Sequence, residues 1–172
     1  MTRFNNTKKD RFLASRSQSS IETSDIEKRC KFNFSYFDPS QAAGQALDDW
    51  AVEAGGVSLN GLFQKIKDYT HEPLMYWCNE RVGKGGLTVL AYYNEFPKKS
   101  DFKHPPHVPH DVTWARFRLG SKVRLVGFVL PEDVCRAKSK VTNEGSFYPY
   151  DSNTFYVVFL DKNHRFYQSE DK

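Results

Sequence analysis

Long apolar runs are missing from this 172-residue chain. The longest, at residues 126–130 and 155–160, are far shorter than the roughly 20 apolar residues that a membrane-spanning helix needs. The first residues also lack the apolar stretch and the small-residue cleavage site of a secretory signal. We therefore expect a cytoplasmic protein that does not cross a membrane.

Cysteine is scarce, and the three cysteines, Cys30, Cys78 and Cys135, lie far apart with no CxxC pair. This spacing argues against a thiolate zinc site and against a disulfide framework. Excess positive charge is also modest: the net charge is +4, and residues 1–30 hold seven Lys or Arg against four Asp or Glu. The rest of the chain is therefore nearly neutral, and any basic site in it must be local.

The composition along the chain predicts a tail followed by one domain. Apolar residues in residues 1–30 are too scattered to line a buried face, so we expect a flexible N-terminal arm there. Residues 31–172 are expected to form a single domain, because 39% hydrophobic and 15% aromatic residues suffice for a core. A polar stretch near residues 131–154 is long enough to be an insertion or a flexible flap.

The chain after the arm predicts one strand followed by two to three helices. Period-two alternation over residues 31–36 predicts the strand. Asp38, placed before a proline, has the N-cap signature of a first amphipathic helix that should run to the glycines at 55–56. Ser58 is expected to cap a second helix, and Pro73 to end it before a short third one. The apolar stripe expected on the second helix consists of Leu59, Leu62, Phe63, Ile66 and Tyr69.

Beyond the helices the hydrophobic period changes to two, which predicts antiparallel strands. The expected strands cover residues 87–93, 112–119, 122–130, 155–160 and 165–167. Turns are expected at Gly120-Ser121 and at residues 161–164. This order of elements predicts an α+β domain in which helices cover one face of an antiparallel sheet, and functional groups should occupy the other face.

A basic ribbon in the predicted central hairpin is the first candidate site. Trp114, Arg116 and Arg118 share one face of a strand, whereas the position of Lys122 and Arg124 depends on the loop. A two-residue loop would split the arginines between the two faces. A three-residue loop would pair Arg118 with Lys122 and Arg116 with Arg124. We expect the second arrangement, because the first would bury the Arg124 charge in the core.

Clustered cations on an open sheet face repel one another unless a bound anion neutralises their charge. Arginine guanidinium groups can donate two parallel hydrogen bonds to phosphate oxygens. RNA is such an anion; an ordinary polar face with arginines paired to Asp or Glu is the alternative. His164, Arg165 and Tyr167 supply groups that RNA cleavage by the 2′-hydroxyl needs, namely a proton acceptor, a cation and a proton donor. A surface turn with a half-buried tyrosine is the alternative for these three residues.

Three histidines, His104, His107 and His110, are interleaved with prolines, which favours polyproline II with all three on one side. In that extended form the imidazoles lie roughly 9 Å apart, too far to share one ion, so we expect no metal site. We expect a rigid connector that presents His107 or His110 at the edge of the basic face.

The segments 112–130 (VTWARFRLGSKVRLVGFVL) and 155–167 (FYVVFLDKNHRFY), together with the strand and helices over residues 31–81, resemble the RelE/ParE/YafO superfamily of bacterial type II toxins. Its members are small ribonucleases in which helices pack on an antiparallel sheet with exposed Arg and Lys, and with His or Tyr near the C-terminus. The resemblance implies a RelE-like fold and a toxin-type endoribonuclease that cleaves mRNA without a cofactor.

Residue by residue, the resemblance places Arg116, Arg118 and Arg124 against the scissile and flanking phosphates, with His164 and Tyr167 as proton-transfer groups. Further RNA contacts are expected from Lys122, Arg165, Trp114, His107 and His110. The implied partners are mRNA, the ribosome and an antitoxin-like protein, and ribosome dependence is left open. A non-catalytic protein-interaction module and a toxin that acts on gyrase or a replication factor are the alternatives, so the residues leave open whether the protein is an enzyme.

Overall fold

The computed structural model describes residues 7–8, 20–51, 58–137 and 150–168. Within them the strands are β1 (Lys31–Asn33), β2 (Arg81–Val82), β3 (Leu87–Thr88), β4 (Leu90–Tyr93), β5 (Thr113–Arg118), β6 (Arg124–Val129) and β7 (Thr154–Asp161). The helices after residue 30 are α1 (Leu47–Ala51), α2 (Leu59–Tyr69), α3 (Leu74–Asn79) and α4 (Glu132–Ala137). More than half of the predicted arm and half of the polar stretch after β6 lie outside the described residues. None of the helices described is long and apolar enough to cross a bilayer.

Five strands form one sheet in the order β1-β7-β6-β5-β4. The pairs β4–β5, β5–β6 and β6–β7 are antiparallel, and the predicted α+β class is confirmed. β1 joins this sheet at its edge and runs parallel to β7, with Phe32 opposite Phe155. β1 also ends earlier than predicted, because the Asn33 side-chain oxygen accepts a hydrogen bond from the Ser35 backbone N–H at 2.8 Å and turns the chain.

Helices α2 and α3 cover one face of this sheet. Ser58 Oγ accepts a hydrogen bond from the Gly61 backbone N–H at 3.0 Å, which is the predicted N-cap of α2. The buried side chains of α2 are Leu62, Ile66 and Tyr69. Phe63 of the predicted stripe is instead 52% exposed. Tyr69 stacks on Phe117 of β5 with ring centroids 4.7 Å apart, and this contact holds α2 against the sheet.

The first helix is shorter than predicted, because residues 39–46 are not helical. The hydroxyl and the backbone N–H of Ser40 both donate to Asp38 Oδ1, at 2.5 and 2.9 Å, so the aspartate closes a local turn. The N–H groups of Asp38 and Gln45 donate to two carbonyl groups of β7. The segment therefore follows the edge of the sheet, and α1 begins only after it. The predicted end of this helix at residues 55–56 lies outside the described residues.

The other face of the sheet is not open along its length, and that expectation is wrong. The connector formed by residues 94–112 covers much of it, with Phe102 and Val108 buried against the strands. Trp114, which we expected on the open face, is 1% exposed within this second core. The end of this face beside the β5–β6 loop stays open, and the hairpin arginines lie there.

The β5–β6 hairpin has the predicted three-residue loop, but the loop is centred one residue later in the chain. The Leu119 N–H donates to the Val123 carbonyl at 3.0 Å, and Arg118 lies opposite Arg124. The predicted partners of Arg118 and Arg116 are therefore wrong by two residues. A shift of two positions preserves the side on which each residue lies, so these three arginines still share one face.

The chain after β7 forms the predicted turn, but residues 165–167 bend and do not form the predicted strand. The buried Asp161 carboxylate accepts hydrogen bonds from the backbone N–H groups of Asn163 at 3.0 Å and Phe166 at 2.9 Å. These bonds fold Phe166 back onto the second core. His164 between them has φ of 59°, in the left-handed region, so the turn sets where its imidazole lies.

Candidate active site

A cavity of about 860 Å³ lies on the second face of the sheet, between β4, the β5–β6 loop and the turn after β7. The predicted site residues that line it are Arg116, Arg118, Lys122, Arg124, His164 and Tyr167. Its lining includes no Asp or Glu from the described part of the chain. The cations of the hairpin therefore meet the imidazole and the phenol of the C-terminal region in one place.

Two of the arginines are almost fully buried at the base of the cavity. Arg116 is 8% exposed, and its Nε donates a hydrogen bond to the Tyr93 hydroxyl at 2.8 Å. Arg124 is 3% exposed, and its terminal nitrogens donate to the backbone carbonyls of Gly120 at 3.0 Å and Ser121 at 3.1 Å. These neutral acceptors fix the two guanidinium groups without neutralising their charge.

One buried carboxylate, Asp161 of β7, lies opposite Arg124 and attracts its charge, but Asp161 does not line the cavity. In the residues the structure covers, Arg116, Arg118 and Arg124 form no ion pair with a carboxylate. Arg116 Nη1, Arg118 Nε and Arg124 Nε are buried without a hydrogen-bond partner. Burial, followed by the charges of Arg116 and Arg118, lowers the pKa of Arg124 to about 10, so it stays charged at neutral pH. An anion in the cavity would supply both the missing acceptors and the missing charge.

His164 brings an imidazole to the same cavity. Burial is the largest cause that lowers its pKa below the usual 6.5, and the charges of Arg124 and Arg116 lower it further. The imidazole is therefore neutral at pH 7 and able to accept a proton.

Tyr167 contributes a phenol that is held by a second tyrosine. Its ring stacks on Tyr93 with centroids 5.0 Å apart and an interplanar angle of 20°, and Tyr167 remains 44% exposed. Tyr93 thus links Arg116 to Tyr167. Sequence reasoning missed Tyr93, although the register that places it opposite Trp114 puts it on the arginine face. The other lining residues that it missed are Leu87, Ala91, Tyr92, Ser121 and Asn163.

Four predicted RNA contacts do not line the cavity: Trp114, His107, His110 and Arg165. Arg165 is exposed elsewhere, with its Nε 3.9 Å from Asp101 Oδ2. His107 lies beside Tyr36, with Nε2 3.3 Å from the tyrosine carbonyl oxygen. The structure therefore separates the histidine connector from the basic cavity.

The connector also bends where we expected an extended polyproline segment. The Val108 N–H donates to the Pro105 carbonyl at 3.1 Å, and the chain turns there. The rings of His104 and His110 consequently stack with centroids 4.3 Å apart, so the expected separation along the connector is wrong. Across the described ranges, no group of three or more His, Cys, Asp or Glu residues is arranged to hold a metal ion.

Comparisons with known proteins reveal no relative: no protein-family model, no curated protein and no solved structure matches this chain. The resemblance to the RelE/ParE/YafO superfamily therefore stays a prediction. The function has to be inferred from the geometry and chemistry of the cavity.

Proposed function

We propose that this chain is a toxin-type endoribonuclease that cleaves mRNA in the arginine-lined cavity. One observation carries the proposal: three arginines with unpaired N–H groups converge, without a lining carboxylate, on an imidazole and a phenol. A phosphodiester of RNA suits this arrangement, because its oxygens accept hydrogen bonds from guanidinium groups and its ribose carries the attacking 2′-hydroxyl.

In the proposed reaction His164 is the general base and takes the proton of the 2′-hydroxyl. The 2′-oxygen bonds to phosphorus while the bond from phosphorus to the 5′-oxygen of the next nucleotide breaks. Tyr167 donates its phenolic proton to the departing oxygen, and Arg116 with Arg124 stabilises the negative charge of the phosphorane. The products are a 2′,3′-cyclic phosphate and a 5′-hydroxyl, and the chemistry uses only side chains of this chain.

The proposed partners are those that the resemblance to the RelE/ParE/YafO superfamily implies, and the positive charge of the cavity is compatible with them. Single-stranded mRNA is the substrate, and the ribosome is the proposed place where it is presented to the cavity. An antitoxin-like protein inhibits the enzyme by placing acidic groups against the arginines, since complementary charge drives such association.

The test is to incubate the purified protein with mRNA, with and without ribosomes, and to map the fragment ends. We expect 2′,3′-cyclic phosphate and 5′-hydroxyl ends, and a loss of about 100-fold or more in rate for His164→Ala. Arg165→Ala is the matched control for Arg116→Ala, because it removes a guanidinium that lies outside the cavity. Cleavage that persists in the double variant Arg116→Ala/His164→Ala contradicts the proposed site.

An exposed aromatic ring favours a second function, a non-catalytic module that docks on a protein. Phe63 of α2 is 52% exposed, although it belongs to the predicted apolar stripe. Under this alternative, effects on bacterial growth survive Arg116→Ala and disappear with Phe63→Ala. A toxin that acts on gyrase or a replication factor would also leave cellular mRNA intact, so RNA integrity in expressing cells separates both alternatives from the nuclease.

A further inference from the structure

A second cavity, of about 650 Å³, lies beside the first one. Arg118 and Ser121 line both cavities, so the two meet at the β5–β6 loop. Both volumes fall within the range of roughly 300 to 1,000 Å³ that is usual for ligand sites. The two cavities therefore share wall residues at the end of the hairpin, the first on the arginine face of the sheet and the second on the side that α2 and α3 cover.

The second cavity differs from the first in chemistry. Its floor is apolar and aromatic, with Val89 and Leu119 buried and Trp77 half-buried. Trp77 is fixed there, because its Nε1 donates to the Tyr69 carbonyl at 2.8 Å. The exposed rim carries two cations, Lys65 and Arg81, and two carboxylates, Asp68 and Glu80. The carboxylates can accept hydrogen bonds from the amino groups of a base.

Arg118 stands at the junction of the two cavities. Its Nε is buried without a partner, and its Nη1 lies 3.4 Å from the Ser121 carbonyl oxygen. The strand is held in position here, since the Tyr69 hydroxyl donates to the Arg118 carbonyl at 2.5 Å. A phosphate bound by Arg118 in the first cavity would direct the nucleoside attached to it towards the second.

We propose that the second cavity binds the unpaired nucleobase of the nucleotide next to the cleaved phosphate, with its flat face against the apolar and aromatic floor. The inference rests on the proposed function, because it takes the first cavity to hold the RNA phosphate. It makes the substrate a single strand of at least two nucleotides, since a paired base cannot enter a separate cavity.

The test compares two ligands of equal charge by isothermal titration calorimetry with the full chain. One is a 2′-O-methyl dinucleotide with a phosphate at each end, in which methylation blocks the attacking hydroxyl. The other is identical except that one nucleotide is abasic, and the abasic position is placed in turn on either side of the central phosphate. When the abasic nucleotide is at one of these two positions, we expect the complete dinucleotide to bind about tenfold tighter than the abasic ligand. A gain of this size is typical of one base stacking on an aromatic side chain.

Substitutions then test whether the tenfold difference in affinity comes from the second cavity. Trp77→Leu should bring the two affinities within about twofold of each other. The control Phe63→Leu removes an exposed aromatic ring of α2 that lines neither cavity, and it should keep the tenfold ratio. If Trp77→Leu does not fold, Val82→Asp at the exposed rim replaces it, with Val82→Ser as its control.

The outcomes separate this inference from the proposed function. Equal affinities for both ligands, with binding that Arg116→Ala abolishes, overturn the base site and leave the phosphate site standing. A tenfold ratio that survives both Trp77→Leu and Val82→Asp also overturns it, because the base then lies elsewhere. Absence of binding by either ligand contradicts the phosphate site and the base site together.

Discussion

Arg118 of β5 and Arg124 of β6 lie directly opposite each other in the sheet, on the same face. Like charges in opposed positions of two strands destabilise a sheet, and here one of the two is almost fully buried. Arg116 lies two residues from Arg118 on that face and adds a third charge. A fold that holds three such cations together is stabilised by whatever anion binds between them.

The first prediction is that phosphate stabilises the fold through these arginines. Binding to the native state alone adds about 2.7 kcal/mol at a hundredfold excess over Kd, so Tm should rise as phosphate is added at constant ionic strength. In Arg116→Ala the rise should be largely lost, whereas Arg165→Ala should retain it. Equal shifts of Tm in the two variants would mean that phosphate acts away from the cavity.

The second prediction concerns the protonation of His164. Its pKa lies below 6.5, first through burial and then through Arg124 and Arg116, so its NMR titration midpoint should lie below that value. Arg124→Met removes the charge that lowers the pKa of His164 most, and it should move the titration midpoint upward. The midpoint should stay below the free value, because burial remains. Arg165→Ala is the control. A wild-type midpoint at or above 6.5 would contradict the lowered pKa.

The lowered pKa of His164 also determines how the cleavage rate depends on pH. The base must be neutral, and a lowered pKa keeps it neutral further into the acid range. The rate should therefore fall only below pH 6.5, and Arg124→Met should move that fall to higher pH while lowering the rate.

Local signals in the sequence were enough to predict α2 and the sheet face on which the arginines lie. Ser58 identifies the start of α2 because its cap needs only the next few residues. The strand period places Arg116 and Arg118 on one face whatever the exact register. It could not show that Trp114, on the same face, lies under the connector, because that cover comes from residues distant in the fold.

Long-range hydrogen bonds explain where sequence reasoning failed. Residues 39–46 have helical spacing, but the N–H groups of Asp38 and Gln45 find acceptors along β7. The second cavity could not be predicted from the sequence either, because it is formed by α2, the end of α3 and the β5–β6 loop, which are far apart along the chain. A sequence period describes one element and does not describe what packs against it.

The third prediction uses a glycine in the middle of the sheet. A Cβ on Gly127 would lie 2.0 Å from the Tyr156 carbonyl oxygen and 2.8 Å from Phe155 Cε1, where β6 meets the irregularity in β7. Gly127→Ala should therefore lower the free energy of unfolding by about 3 kcal/mol, because backbone has to move. Gly120→Ala is the control, since its Cβ would lie 3.9 Å from the nearest atom. Urea denaturation measures both, and equal stabilities would contradict the tight β6–β7 contact.

The fourth prediction concerns the connector over the second core. Burial, followed by the charge of the stacked His110, lowers the pKa of His104, and its ring lies against Phe96 and Trp114. An unfolded chain with the ordinary value of 6.5 binds the proton first, so acidification below that pH favours unfolding. Stability should fall from pH 7 to pH 5, and His104→Phe should reduce that fall. The control is His107→Phe, whose ring stacks on Tyr36 away from this cluster. An identical pH dependence of Tm in the wild type and His104→Phe would show that this imidazole is not linked to folding.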